Sequence, residues 1–345
     1  MIQIRKAILP DSDALIQLTA LTPMKGNIVL RIDRRPDFFS LLKQRGDYMV
    51  LVAEDENKKI IGSFSSACQE FIINRQKYLV YYLGDLKVHP DHVNTSLAYR
   101  LIRKMHEELL QIGADILICT AASGNKPVTV FFGGRAGIPS FRNVCRFSIY
   151  QLLPTKSKRP PIPEEAMGIE LKHFYDECYS KYSLKPSVSL ENCIHFIESR
   201  NDSIMASVSL YDPGLFKQNV VLGYSFKIRA ILFALGLLKK IFPLPSLPQK
   251  GEALRILYVK YYAAKPGYEN ELSKLLKRAR EYAFEKNFHF VAIATDERDR
   301  SFTKLIKPQS SFVFRSDELI TSLRNNNDLL DAACKGFAYE DYSLI

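Results

Sequence analysis

One short stretch has the clearest chemical potential: Val88-His89-Pro90-Asp91-His92-Val93-Asn94-Thr95-Ser96-Leu97-Ala98-Tyr99-Arg100-Leu101. A strand-like run enters a turn, and the turn enters a helical pattern. Small and polar residues at the turn let backbone N–H groups approach a ligand closely. Unpaired amides from Val93, Asn94, Thr95, Ser96, Leu97 and Ala98, at the positive end of a helix dipole, are a means of holding a pyrophosphate. Lys87, Arg100, Arg103 and Lys104 add positive charge. A plain loop entering a capped helix has the same local features, so the choice depends on what surrounds the stretch.

Other reactive side chains show less order. The histidines (His89, His92, His106, His173, His195, His289) have no ligand spacing, and the cysteines contain no C-x-x-C pair, so no metal site is expected. Cys68, Cys119 and Cys193 sit inside apolar strand-like runs, the usage of a reducing compartment. The N-terminus reads as a strand without a signal-peptide core, and a cytoplasmic protein is the expectation.

The elements around the loop repeat. Ala98, Leu101, Ile102, Met105 and Leu109 mark one helical face, and Leu272, Leu275, Leu276, Ala279 and Ala283 mark another, 174 residues later. Strand-like runs precede each helix (Tyr81 to Val88; Arg255 to Tyr262) and follow it (Ile116 to Cys119; Phe290 to Ile293). Two strands flanking an amphipathic helix form a βαβ unit. The 345-residue chain is thus expected to use one α/β fold twice, with a mixed central sheet and helices on both faces. Residues 1–153 form the first domain, in the order β-α-α-β-β-β-α-β-α-β. A linker follows at 154–163, with four prolines and three cations. Residues 164–345 form the second domain, with an insert at about 213–250. The insert carries an apolar run, Ala230 to Leu238, too short to span a bilayer. The reading given to Phe226–Phe242 is a buried helix, with a dimer or membrane-surface contact as the alternative.

This layout resembles the GNAT-type N-acetyltransferase superfamily, as a tandem-domain member with a degenerate second copy. The cofactor-loop pattern Val-x-Pro-x-x-Arg/Gln-x-x-Gly-x-Gly/Ala is met at Val88, Pro90 and Ala98 and departs at Val93 and Ser96. The later Asn-x-x-Ala-x-x-Phe-Tyr is met at Asn125 and Phe131; Val128 replaces Ala and Phe132 replaces Tyr. The second copy has acidic residues in its loop, Lys265 to Glu271, and Asp299 in place of Asn125. The resemblance implies acetyl-CoA as acyl donor, lying between the two parallel strands, with an amine acceptor attacking directly. A main-chain amide within Leu86, Lys87 and Val88 would polarise the thioester carbonyl. Asp85 falls where relatives carry an acidic pair and is the candidate base. Phe132 replaces the usual proton-donating tyrosine, so Tyr82, or Tyr81, becomes the candidate acid. Arg31, Arg34 and Arg35 fall where relatives build the acceptor pocket, and suggest an anionic acceptor.

The net charge of +11 favours an anionic partner. Its spread along the chain gives no strong nucleic-acid signal. Two alternatives to an N-acyltransferase stand beside it: an acetyl-CoA-binding or protein-interaction module that has lost catalysis, and a basic protein associated with membrane or nucleic acid.

Overall fold

The computed structural model describes residues 2–24, 28–124, 130–134, 137–164, 168–226, 229 and 248–345. The first half runs β1 (Gln3–Lys6), α1 (Ser12–Ala20), β2 (Ile28–Asp33), α2 (Ser40–Lys43), β3 (Tyr48–Glu54), β4 (Ile60–Ile73), β5 (Gln76–Val88), α3 (Leu97–Gln111), β6 (Ile116–Ala122) and β7 (Arg142–Leu152). The second runs α4 (Gly168–Cys178), β8 (Tyr182–Pro186), β9 (Ile194–Arg200), β10 (Ser203–Tyr211), β11 (Gln218–Tyr224), β12 (Ala253–Leu254), β13 (Ile256–Ala264), α5 (Glu269–Glu285), β14 (Phe290–Asp296), α6 (Arg300–Ile306), β15 (Ser310–Ser322), α7 (Asn327–Lys335) and β16 (Phe337–Ala338).

Alternation along β3 sets the layers. Leu51 and Ala53 pack with Leu101, Ile102, Met105 and Leu109 of α3. Val50 and Val52 pack with Leu15, Leu18 and Phe38 near α1 and α2. A strand buried on both faces needs helices on both faces, and the mixed α/β sandwich read from the sequence is the architecture found. Both marked helical faces are in the core: Leu101 and Met105 of α3, and Leu272, Leu276, Ala279 and Ala283 of α5, are fully buried. The long β4–β5 hairpin closes at Asn74-Arg75, both at positive φ, the geometry that twists a two-residue turn to match its strands.

The two halves share one 13-stranded sheet, and the strand order differs from two separate domains. β15, late in the second half, lies between β6 and β7 and pairs antiparallel with both. β7, the last strand of the first half, pairs with β14 of the second. Each half therefore receives a strand from the other. The sequence boundary at 154–163 is not a boundary in the sheet. Its flanks run beside α5, where Arg280 donates to the Leu153 carbonyl and Arg278 to that of Ile162.

A second, three-stranded sheet runs β12–β11–β2. β2 had no counterpart in the element order read from sequence. It forms because the insert of the second half supplies β11, which pairs antiparallel with it from Gln218↔Asp33 to Tyr224↔Ile28. Of the apolar segment Phe226–Phe242, only Phe226 and Arg229 are among the described residues, and the buried-helix reading lies outside them. Among the described residues no helix is long and apolar enough to cross a membrane.

Candidate functional site

The parallel strands β5 and β6 are paired only at Val80↔Ile116, Tyr81↔Leu117 and Tyr82↔Ile118. Beyond these the strands separate, and the edge of β5 from Leu83 to Val88 has no strand partner on that side among the described residues. A bulge lies in the same stretch. Against β4, Ser65 faces Gly84 and Ser63 faces Lys87, so Asp85 and Leu86 together oppose one residue. Asp85 adopts φ +51, the left-handed region. The diverging strands and the bulge leave main-chain groups of β5 outside the β5–β6 ladder, the kind of position an oxyanion donor occupies.

Buried side chains hold the bulge in place. The Ser63 hydroxyl donates to the Asp85 carbonyl at 3.1 Å and the Ser65 hydroxyl to that of Gly84 at 2.9 Å. Arg34 donates from Nη2 to Asp85 Oδ1 at 2.7 Å, and the one Ser65 hydroxyl proton is shared between the Gly84 carbonyl and Asp85 Oδ2, 3.1 Å away. Both carboxylate oxygens of Asp85 are thus engaged, and its place in the structure is that of a brace for the strand. Burial, together with the Arg34 charge, lowers the pKa of the neighbouring Lys87 ammonium, while Asp85 opposes the shift.

The β5–α3 loop is open. Val93, Asn94, Thr95 and Ser96 are exposed, Ala98 is half-buried and Leu97 anchors the helix start in the core. Within the loop the Thr95 amide is bonded to the His92 carbonyl, and the Leu97 amide to Thr95 Oγ1. The amides of Val93, Asn94, Ser96 and Ala98 have no hydrogen-bond partner among the described residues. Four free donors at the N-terminus of a 15-residue helix fit a diphosphate. The cations contribute unequally. Arg100 donates to the Ile2 carbonyl and Lys104 pairs with Glu108, while Arg103 is exposed.

The remaining candidates are distributed over both faces of the sheet. Phe131 packs edge-on against Tyr99, and Phe132 lies against Phe141, 4.4 Å between ring centres. Both are on the α3 face. Asn125 lies outside the described residues. Tyr82 is on the opposite face, packed with Val80 and Ile118. The Arg45 guanidinium sits 3.8 Å over the Tyr82 ring. Burial raises the Tyr82 phenol well above its ordinary pKa, with Arg45 opposing. Tyr82 therefore stays neutral, and it lies on the other side of the sheet from the position it was expected to replace. Tyr81 is on the α3 face beside Phe132.

The three arginines separate. Arg34 is buried on Asp85. Arg31 and Arg35 each reach Asp33 at 3.7 Å, and the Arg35 side chain is 74% exposed.

Sequence reasoning missed Lys217, Arg45 and the serine pair. Lys217, just before β11, is 8% exposed, and no carboxylate lies within ion-pair distance of it among the described residues. Burial, with the Arg34 and Arg45 charges, holds its amine down to about 7, with Asp85 opposing. Nothing in Phe216-Lys217-Gln218 marks it as interior, because its burial comes from docking β11 on the first half. The serines did leave a signal. Ser63 and Ser65 alternate in β4 just as Ser207 and Ser209 do in β10, and all four are buried.

The second half has a similar strand geometry, with a cavity of about 290 Å³ beside Ala263, Lys265, Pro266, Glu269 and Phe302. β13 and β14 pair at Ile256↔Phe290, Leu257↔Val291 and Tyr258↔Ala292 and then part, and β13 also bulges, at Lys260. Here, however, Tyr262 Oη donates across the gap to the Ala294 carbonyl at 2.9 Å. The Tyr179 hydroxyl receives the Tyr262 amide at 3.0 Å, and Tyr179 and Tyr339 stack beside it, 4.6 Å apart. The Tyr262 amide, which the 174-residue repeat matches to Val88, is thus bonded to a side chain of its own half. Asp299 caps α6 and also binds Lys181 at 2.8 Å.

Paired, diverging strands with a bulge and an open loop entering a helix are the layout of an acyl-CoA N-acyltransferase fold. Comparison with solved structures gives the same class. Over 93% of its length the chain superimposes on the N-myristoyltransferase of Saccharomyces cerevisiae, solved with myristoyl-CoA bound (TM-score 0.60, 13% identity, 82% of that chain covered). A probable N-acyltransferase from Enterococcus faecalis V583 matches with TM-score 0.53, 8% identity and coverage of 94% and 73%. A GCN5-related N-acetyltransferase from Anabaena variabilis matches with TM-score 0.53 at 10% identity and the same coverage, 94% and 73%. The fold is therefore that of the N-myristoyltransferase and GNAT acyltransferases. No family model and no curated protein sequence matches the chain.

Proposed function

We propose that this protein is an acyl-CoA-dependent N-acyltransferase working in its first half, with acetyl-CoA as donor and an amine as acceptor. The observation that carries the reading is the contrast between the two clefts. The first has unbonded main-chain donors at the start of α3; in its counterpart tyrosine hydroxyls bond the Tyr262 amide and the Ala294 carbonyl, and a cavity of about 290 Å³ remains beside Ala263, Lys265, Pro266, Glu269 and Phe302. The donor brings a thioester carbonyl open to attack by an amine. Val93, Asn94, Ser96 and Ala98 would hold its diphosphate through their amides, and Arg103 would add charge. The β5 edge at Leu86, Lys87 and Val88 would present an amide to the carbonyl oxygen. Asp85, with Arg34, Ser63 and Ser65, keeps that amide in place.

The acceptor side would be the face carrying Tyr82 and Arg45, with Arg31 and Arg35 on and just after β2, which pairs with β11. Arg31 and Arg35 favour an acceptor with a negative group close to its amine. Acetyl-CoA follows from the loop pattern; the bound ligand of the yeast neighbour makes myristoyl-CoA the second donor to test.

A ligand that binds the folded state raises the melting temperature by mass action. Thermal melts with acetyl-CoA, myristoyl-CoA and CoA, each at about 1 mM, test the reading. A shift of several degrees with one of the thioesters is expected. No shift with either would overturn it.

A further inference from the structure

Arg34 is bound through one of its three guanidinium nitrogens. Nη2 donates to Asp85 Oδ1 at 2.7 Å, and the group lies 5.5 Å from the centre of the Phe38 ring. Nε and Nη1 are buried and have no hydrogen-bond partner among the described residues. Buried donors without acceptors are unfavourable. A second cation stands beside this one. The β2–β11 ladder begins at Asp33↔Gln218, so the next residues out, Arg34 and Lys217, leave it side by side. Gln218 Nε2 donates to the Arg35 carbonyl at 3.1 Å and ties the two segments together beyond the ladder. Arg34 is 6% exposed and Lys217 is 8% exposed. Like charges set opposite each other repel. The nearby carboxylate, Asp85, is taken by Arg34, and no carboxylate pairs with Lys217 among the described residues.

The contact with Asp85 fixes where the two cations lie. Asp85 sits in the β5 bulge, and Leu86, Lys87 and Val88 follow it directly. Ser65 reaches the same carboxylate, and the β4–β5 register sets Ser65 opposite Gly84 and Ala67 opposite Tyr82. Alternation puts Ser65 on the face of Tyr82, and Arg34 with it. That is the face across the sheet from α3. We propose that Arg34 and Lys217 form an anion subsite for the carboxylate of the acceptor, and that the acceptor is a free amino acid. This rests on the acyl-CoA transferase reading. Charge selects the carboxylate. With Lys217 as an ammonium, Arg34 and Lys217 bring two positive charges and Asp85 one negative, which leaves one positive charge to be met. A carboxylate balances it, whereas a phosphate dianion would leave a buried negative excess. Position selects the small acceptor. Asp85 is the immediate neighbour of the Leu86 amide, so the carboxylate and the amine of one small molecule span the two positions.

The test uses the full chain with whichever thioester raises its melting temperature. The common amino acids, their decarboxylated amines and O-phosphoethanolamine serve as acceptors, and the acylated product is read by mass spectrometry. An amino acid should react with kcat/KM at least about tenfold above its decarboxylated amine and above O-phosphoethanolamine. Lys217→Met removes one cation and leaves the Arg34–Asp85 pair in place. Arg34→Lys keeps a cation for Asp85 and removes the two unpartnered nitrogens. Each variant, shown to be folded by its melting curve, should raise KM for the amino acid and cut its advantage over the amine to about twofold or less. A decarboxylated amine or O-phosphoethanolamine that reacts as well as the amino acid, or an advantage that both variants keep, overturns the proposal. A thermal shift without any acylated amino acid also overturns it and leaves the transferase reading standing. Absence of a thermal shift with either thioester removes both.

Discussion

Removing Asp85 strands a guanidinium in the interior. The Arg34–Asp85 pair has side chains 7% and 11% exposed, so Asp85→Ala should cost about 3 kcal/mol, the scale of breaking a buried pair from one side. Ser65→Ala, which loses neutral donors only, should cost about 1 kcal/mol. Urea denaturation separates the two, and equal midpoints would contradict the brace assigned to Asp85. Lys217 acts in the opposite sense. The unfolded chain keeps lysine protonated up to its ordinary 10.5, whereas the folded chain releases the proton at about 7. Between those values the folded state binds fewer protons, so stability rises with pH. Below 7 the whole penalty applies, on the order of 5 kcal/mol. Lys217→Met should therefore melt above the wild type at pH 6, with an advantage that shrinks toward pH 10; a destabilised variant at pH 6 would show the amine is paired. Glu340 runs the other way. Its carboxyl is raised from 4.5 to about 6 by burial and Asp341, against Arg45. Its contribution is present below 4.5 and lost as pH rises through 6. At this scale the sequence singled out the loop and Asp85 by their residue types, Asp85 as a candidate base where the structure has it paired with Arg34. It did not disclose Lys217, whose environment is assembled from distant segments.

Elements whose burial is local were readable. α3 and α5 follow from their apolar spacing, and the β9–β10 turn follows from Asn201-Asp202, both at positive φ. β2 was not readable, since its pairing partner lies in the insert of the other half. The start of α3 carries the binding reading, and one substitution tests it. Ala98→Asp puts an anion in the first turn, where the helix dipole tolerates it but a diphosphate would be repelled. The melting temperature should stay within about 2 °C of wild type while acyl-CoA affinity falls at least about tenfold, or about 1.4 kcal/mol. In the second half, Tyr179→Phe removes the hydroxyl that caps the Tyr262 main chain and should cost about 1–3 kcal/mol, read by denaturant titration.

For the whole molecule, the exchange of β7 and β15 is the feature the sequence concealed. The repeat told of two similar halves, but strand order depends on long-range pairing that no local pattern encodes. A chain ending within residues 154–163 would lack β15, leaving the far edge of β6 bare and β7 without either neighbour. Residues 1–160 alone should fail to show a cooperative transition, and co-expression with residues 161–345 should restore it. A monomeric, cooperatively melting fragment would mean the halves fold separately. The central claim is that one cleft of the two accepts an acyl-CoA. Calorimetric titration of wild type and Ala98→Asp with acetyl-CoA and myristoyl-CoA measures this directly. The account predicts one thioester bound per chain, weakened by the substitution. Two per chain, or none, or binding that Ala98→Asp leaves untouched, would contradict it.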